Sequence, residues 1–269
     1  MVLMQSGAGE VKGLSRALVW LGHALRRMGR SVLDQLYPPG CVACNAPLVD
    51  ADGLCAACFS ILHPISAPLC PVLGIPFDAD MGPGTMSAEA MADRPPFSRA
   101  RAALAYGPVA RVLVSRLKYG DRPELARFCA RLMAAAGLEF WDERPVLVPI
   151  PLHTSRLQVR RYNQSLLLAR GVARLTGLEV DPYLVRRHRR TRAQVGLSGD
   201  GRLRNVQGAF SLHNRALERL SGRRVVLIDD VYTTGATVKA VTRVLQRGGV
   251  GAVDVLTFAR VVIGDDLPI

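Results

Sequence analysis

Four apolar residues, Val225, Val226, Leu227 and Ile228, stand without a polar break. A run of that length and type suits a strand buried on both faces. Asp229 and Asp230 follow it. Beyond the turn Thr233, Thr234, Gly235, Ala236 and Thr237 the period changes, and Val238, Val241, Val244 and Leu245 recur at helical spacing. The same alternation runs through the second two-thirds of the chain. It predicts strands at residues 101–106, 146–150, 178–184 (interrupted by Pro182) and 253–258, and helices at 108–117, 123–136 and 163–176. Strands alternating with helices imply a doubly wound parallel sheet, which takes ligands at the carboxyl ends of its strands.

The first third is patterned differently. Leu14, Leu18, Leu21, Leu25, Met28 and Val32 alternate steps of four and three, with Arg16, Arg26, Arg27 and Arg30 off the stripe. This predicts a basic amphipathic helix. Pro38, Pro39 and Gly40 end it and lead into a cysteine-rich stretch. Residues 74–98 are rich in Gly, Pro, Met and Asp and lack a sustained period, and residues 186–208 are basic without an apolar period. The expected organisation is a tail and helix (1–37), a cysteine module (38–73), a linker (74–98) and a main domain (99–269).

A hydrophobic content of 49% against 21% charged residues gives ample material for a core in a chain of 269 residues. No apolar run approaches the ~18 residues of a membrane span, and the pattern of a secretory signal is missing, so no integral membrane contact and a cytoplasmic protein are expected. The net charge of +13 calls for anionic partners, phosphorylated ligands or nucleic acid. Between Arg156 and Arg204 stand twelve arginines against three acids, Glu179, Asp181 and Asp200.

Two of these stretches carry chemistry. Cys41 and Cys44, then Cys55 and Cys58, form two CxxC turns that bring four thiolates together, the donor set of a closed structural Zn²⁺ site. So small a module owes most of its folding free energy to its metal. The other is the turn after residue 228. A strand, a hydroxyl-rich turn and a helix in that order make a nest of N–H groups at a helix amino terminus, which holds a phosphate dianion. Two acids beside such a nest would repel its ligand unless the ligand also offers hydroxyl groups, and a sugar phosphate offers both.

The turn resembles the 5-phosphoribosyl-1-pyrophosphate (PRPP) signature of type I phosphoribosyltransferases. Taken with the two CxxC pairs, Leu117 to Asp121, Val148 to His153 with Arg156, Tyr162 to Ser165, Gln194 to Ser198 and Arg204 to Phe210, it identifies the chain as similar to the ComF family over about residues 36–262. That family joins a zinc module to a type I phosphoribosyltransferase-like domain and is associated with DNA uptake in competence. Many of its members carry a further CPxCG pair. Here Leu73 stands where the partner of Cys70 would be, so no second zinc is expected, and the family's Ser-Arg-x-Glu-Arg segment is replaced by Ser198, Gly199, Asp200, Gly201 and Arg202.

The resemblance implies that PRPP binds with Mg²⁺. Thr233, Thr234, Gly235, Ala236 and Thr237 would take the 5′-phosphate, and Asp229 and Asp230 the ribose. Lys118, Arg156 and Arg161 would meet the pyrophosphate, with Arg192 closing from the basic loop. Phosphoribosyl transfer to an acceptor is one reading. A second is a single-stranded DNA-binding protein whose PRPP site regulates it, and a third is an adaptor for protein partners of a DNA-uptake system.

Overall fold

The computed structural model describes residues 39–120, 122–189, 208–213 and 220–262. The expected helix at 14–32, most of the basic loop with Arg192, and the tail after residue 262 lie outside the described residues. The chain divides into two compact units, Met1–Cys55 and Ala56–Ile269.

The larger unit is built on a four-stranded parallel sheet. Its strands are β1 (Ala100–Ala105), β2 (Val146–Pro149), β5 (Arg224–Tyr232) and β6 (Ala252–Arg260), in the order β1-β6-β5-β2. Val225, Leu227, Val253 and Val255 on one face join a core completed by Val238, Val241 and Leu245 of helix α7 (Ala236–Arg247). Helices α4 (Leu125–Ala136) and α6 (Gln164–Thr176) pack on the strands and on each other. Gly171 is required there, since a Cβ would stand 2.5 Å from that of Ala130. Helix α3 (Pro108–Tyr119) precedes α4 and starts at a proline that gives up no helical donor.

The expected strand at 178–184 does not form. Val180 makes one parallel bridge to Leu147, and the Asp181 carboxylate then accepts from the Tyr183 N–H at 3.0 Å, a local turn that ends the pairing. The strand comes later, as β3 (Val185–Arg187), antiparallel to β4 (Phe210–Leu212) in a small second sheet. Both ends of the basic loop are therefore anchored in a hairpin.

Residues 74–98 also contain more than a connection. Helix α2 (Ala88–Ala92) is capped by the Ser87 hydroxyl, and the hydrogen bonds of residues 68–77 repeat those of residues 39–48. Cys41 N–H donates to Ala46 O and Asn45 N–H to Cys41 O. Twenty-nine residues on, Cys70 N–H donates to Ile75 O and Gly74 N–H to Cys70 O. Leu48 N–H reaches Pro39 O as Phe77 N–H reaches Pro68 O. The Cys41 sulfur accepts from Cys55 N–H at 3.3 Å, and the Cys70 sulfur accepts from Ser87 N–H at 3.3 Å. A short helix follows each, α1 (Ala56–Ser60) and α2. These residues form a second ribbon in which Cys70, Leu73, Ser87 and Ala90 stand at the four ligand positions. All four are buried, and Cys70, Leu73 and Ala90 belong to the core around α7. Apolar packing holds this ribbon where a metal would hold the first.

Candidate functional site

The sulfurs of Cys41, Cys44, Cys55 and Cys58 all lie within 4.8 Å of one another, and Cys44 and Cys55 are 3.6 Å apart as free thiols. A tetrahedral zinc with bonds of about 2.3 Å sets its sulfurs about 3.8 Å apart. Burial opposes ionisation of Cys41, but N–H donors from Cys55, Cys44 and Ala43 outweigh it and bring the thiol down to about 6. The donor set fits zinc.

In the larger unit, β2 and β5 carry the phosphate turn and its neighbours to the carboxyl edge of the sheet. Gly235 caps α7 in the left-handed conformation (φ 71°) and makes no side-chain cap bond. The first N–H groups of α7 therefore face the turn. A Cβ on Gly235 would stand 2.3 Å from the Tyr232 hydroxyl, so only glycine fits between that ring and the helix. Ala236 is buried, Thr237 half-buried, and Thr233 and Thr234 are exposed.

Asp229 accepts from the Ser165 hydroxyl at 2.9 Å and from the Asp230 N–H at 2.9 Å. Asp230 pairs with Lys118 of α3 at 2.9 Å. Burial, then the charge of Asp230, lifts Asp229 to about 7 against the pull of Lys118 and its hydrogen bonds. Burial opposes the charge on Lys118, but the charge of Asp230, its hydrogen bond and the charge of Asp229 together raise the pKa. The two acids are thus inequivalent, one held by a cation and the other close to neutral.

Helix α5 (Thr154–Arg160) supplies cations. His153 caps it, its Nδ1 accepting from Ser155 N–H at 3.2 Å, so His153 serves the loop backbone. Asn163 caps α6 and ties it to the end of β2 through the Ile150 carbonyl at 3.0 Å. Arg156 is lowered by burial and then by the nearby charge of Arg160. Arg187 of β3 lies over the Phe210 ring at 5.2 Å. Burial, then the charge of Arg156, brings it down to about 10, with Asp229 pulling the other way and Arg160 adding to the repulsion. Arg160 lies over Tyr119 and donates to Gln164. Lys118, Arg156, Arg160 and Arg187 thus gather beside two carboxylates, an excess of positive charge suited to a polyanion.

Of the residues expected at the site, Lys118, Asp229, Asp230 and the 233–237 turn come together, and Arg156 lies within electrostatic reach of Arg187. Arg161 is exposed at a left-handed turn (φ 63°), and its neighbour Arg160 faces the cluster. The sequence places Ser165 in a motif and Arg160 and Arg187 among the basic residues, but it assigns none of the three a role at the site. The signal for Arg187 was the apolar pair Val185 and Phe210 flanking the basic loop, which marks a hairpin.

The inequivalence of the acids has a pH consequence. An unfolded Asp titrates near 3.9, so folding takes up a proton on Asp229 between there and about 7. Stability from this group is complete below the unfolded value and is lost as pH rises through the folded one. The slope cannot exceed about 1.4 kcal/mol per pH unit, the limit for a single proton. Asp229→Asn removes this loss, so its melting temperature relative to the parent will climb from pH 4 to 7 and level off above. A constant difference across that range would show that Asp229 titrates normally.

A model described as a double zinc ribbon domain matches residues 32–90, and one described as a phosphoribosyl transferase domain matches residues 115–265. The DNA utilization protein YhgH of Salmonella typhimurium is 32% identical over 235 residues, covering 84% of this chain and 99% of that protein. Competence protein F of Haemophilus influenzae is 32% identical over 154 residues, 55% of this chain and 67% of that one. Competence protein ComFC of Bacillus subtilis is 28% identical over 211 residues, 77% and 84% of the two chains. Among the described residues no helix is long and apolar enough to cross a membrane.

Proposed function

Since the chain belongs to the ComF family of zinc-ribbon proteins with a phosphoribosyltransferase domain, we propose that it binds PRPP at the carboxyl end of β5 and works in DNA uptake or handling. The observation that carries the reading is the juxtaposition of three groups suited to three parts of one ligand. The open amino terminus of α7 suits the 5′-phosphate. Asp229 and Asp230 suit the ribose hydroxyls. The excess of cations at Lys118, Arg156, Arg160 and Arg187 suits the pyrophosphate. The adjacent carboxylates also suit a hard, oxygen-seeking cation, and Mg²⁺ would add its charge to the pyrophosphate. Arg192 would approach from the basic loop, whose ends the β3–β4 hairpin anchors.

Were phosphoribosyl transfer to occur, the C1′–oxygen bond to pyrophosphate breaks, pyrophosphate leaves with the bonding pair, and an acceptor lone pair closes on C1′ and sheds its proton. Cations at the leaving group lower that barrier, and Asp229 or Asp230 stabilises the positive ribose.

A second reading, single-stranded DNA binding with PRPP as regulator, is favoured by the arginines between Arg156 and Arg204 and by the names of the relatives. One comparison separates the two ligands. Asp229→Asn with Asp230→Asn will weaken calorimetric PRPP binding in Mg²⁺ by about 100-fold, as expected for losing one charge-assisted contact and one ordinary one. Binding of labelled single strands, which falls steeply with salt, will not weaken. Unchanged PRPP affinity in the double variant would remove the carboxylates from the site.

A further inference from the structure

Arg260 ends β6 at 4% exposure. Among the described residues the other buried arginine, Arg101, pairs with Glu139, but no carboxylate pairs with Arg260. Its Nη1 donates to the Leu73 carbonyl, and its Nε has no hydrogen-bond partner. Its guanidinium carbon sits 5.0 Å from the centre of the Tyr232 ring, to which β5–β6 pairing sets it directly opposite. Burial lowers its affinity for a proton, and the partial compensation comes from Tyr232, Glu89 and Cys70. Burying a cation without an acid is costly, and a fold keeps one where something else supplies the negative charge.

Tyr232 points to that partner. Its ring lies on Arg260, and its hydroxyl lies against Gly235, the residue that turns the chain into α7. The guanidinium is therefore separated from the turn by the Tyr232 ring. The turn has hydroxyls and N–H groups but no cation of its own. The residue that holds Arg260 is Leu73, the second ligand position of the metal-free ribbon, so packing of that ribbon fixes the charge in place.

We propose that Arg260 is the buried counter-charge of the phosphate turn: a positioning residue that props Tyr232 beneath Gly235 and draws a phosphate monoester dianion onto the amino terminus of α7. The inference rests on the phosphate reading of that turn, and ribose 5-phosphate, which lacks the pyrophosphate, isolates it. Thermal unfolding is followed with increasing ribose 5-phosphate for the parent, Arg260→Gln, Arg260→Met and Arg260→Lys. Gln keeps a donor for the Leu73 carbonyl without the charge, Met fills the space, and the two neutral variants guard against one that fails to fold. The parent melts higher as ligand is added, by linkage. Both neutral variants will bind about tenfold more weakly, the effect of one charge across a ring's width at intermediate dielectric. Lys will recover most of the loss. A merely structural Arg260 would instead lower the melting temperature without ligand and leave the ligand-dependent rise unchanged, which overturns the proposal. A parent that shows no rise would sink the phosphate reading itself, and with it this inference.

Discussion

Chelating the metal from this protein will release one zinc per chain and unfold residues 39–60 while residues 68–77 keep their protection from hydrogen exchange. The two ribbons share one hydrogen-bond pattern, and their supports differ. In the first, four sulfurs converge and the buried residues around them are Cys41, Val42 and Ala43. Metal binding at such a site supplies about 10–16 kcal/mol, more than so few small side chains can replace. In the second, Cys70, Leu73 and Ala90 pack into the core with α7, and the Cys70 and Gly74 amides close onto Ile75 O and Cys70 O without a metal. Metal analysis with exchange mass spectrometry reads both halves at once. Cys41→Ser with Cys55→Ser will reproduce the chelated pattern. Two zincs per chain, or loss of protection in both ribbons together, would contradict the contrast.

Arg156→Ala with Arg187→Ala will weaken PRPP binding by 100-fold or more and change ribose 5-phosphate binding little. Each charge-assisted hydrogen bond to an anion is worth about 1.5–3 kcal/mol, and both guanidinium groups are partly desolvated and repel one another in the free protein. A polyanion relieves that repulsion, so PRPP will raise the melting temperature of the parent more than that of the double variant. Titrating both ligands against both proteins makes the distinction. Equal losses for the two ligands would mean that the arginines serve the sugar phosphate or the fold, and no loss for either would remove them from the site.

The parts of this molecule that could be read from sequence are those whose chemistry is contiguous. Val225 to Ile228 followed by Asp229, Asp230 and the threonine-glycine turn declares strand, acids and helix start within thirteen residues, and CxxC pairs announce a zinc ribbon in the same way. The part of the second ribbon after residue 73 reads as a linker in the sequence because its fold has passed from ligand chemistry to packing. Leu73, Ser87 and Ala90 keep the positions without the residue type. The spacing of Pro39, Cys41 and Pro47 against Pro68, Cys70 and Pro76 was the surviving trace. Arg160 and Arg187 could not be told from the other arginines, since only burial and the convergence of α5 with β3 single them out. Arg260 lies two residues beyond the strand that the sequence predicts at 253–258, and its burial without an ion-pair partner among the described residues is a property of three dimensions.

The central claim is that one site holds all three phosphates of PRPP, and phosphorus NMR of PRPP with the protein and Mg²⁺ tests it most directly. The 5′-phosphate at α7 and both pyrophosphate phosphorus atoms beside Lys118, Arg156 and Arg187 will shift and broaden together at the same protein concentration. Asp229→Asn with Asp230→Asn will return all three to their free positions. Resonances of PRPP that stay unperturbed by the native protein at millimolar concentration would contradict the account.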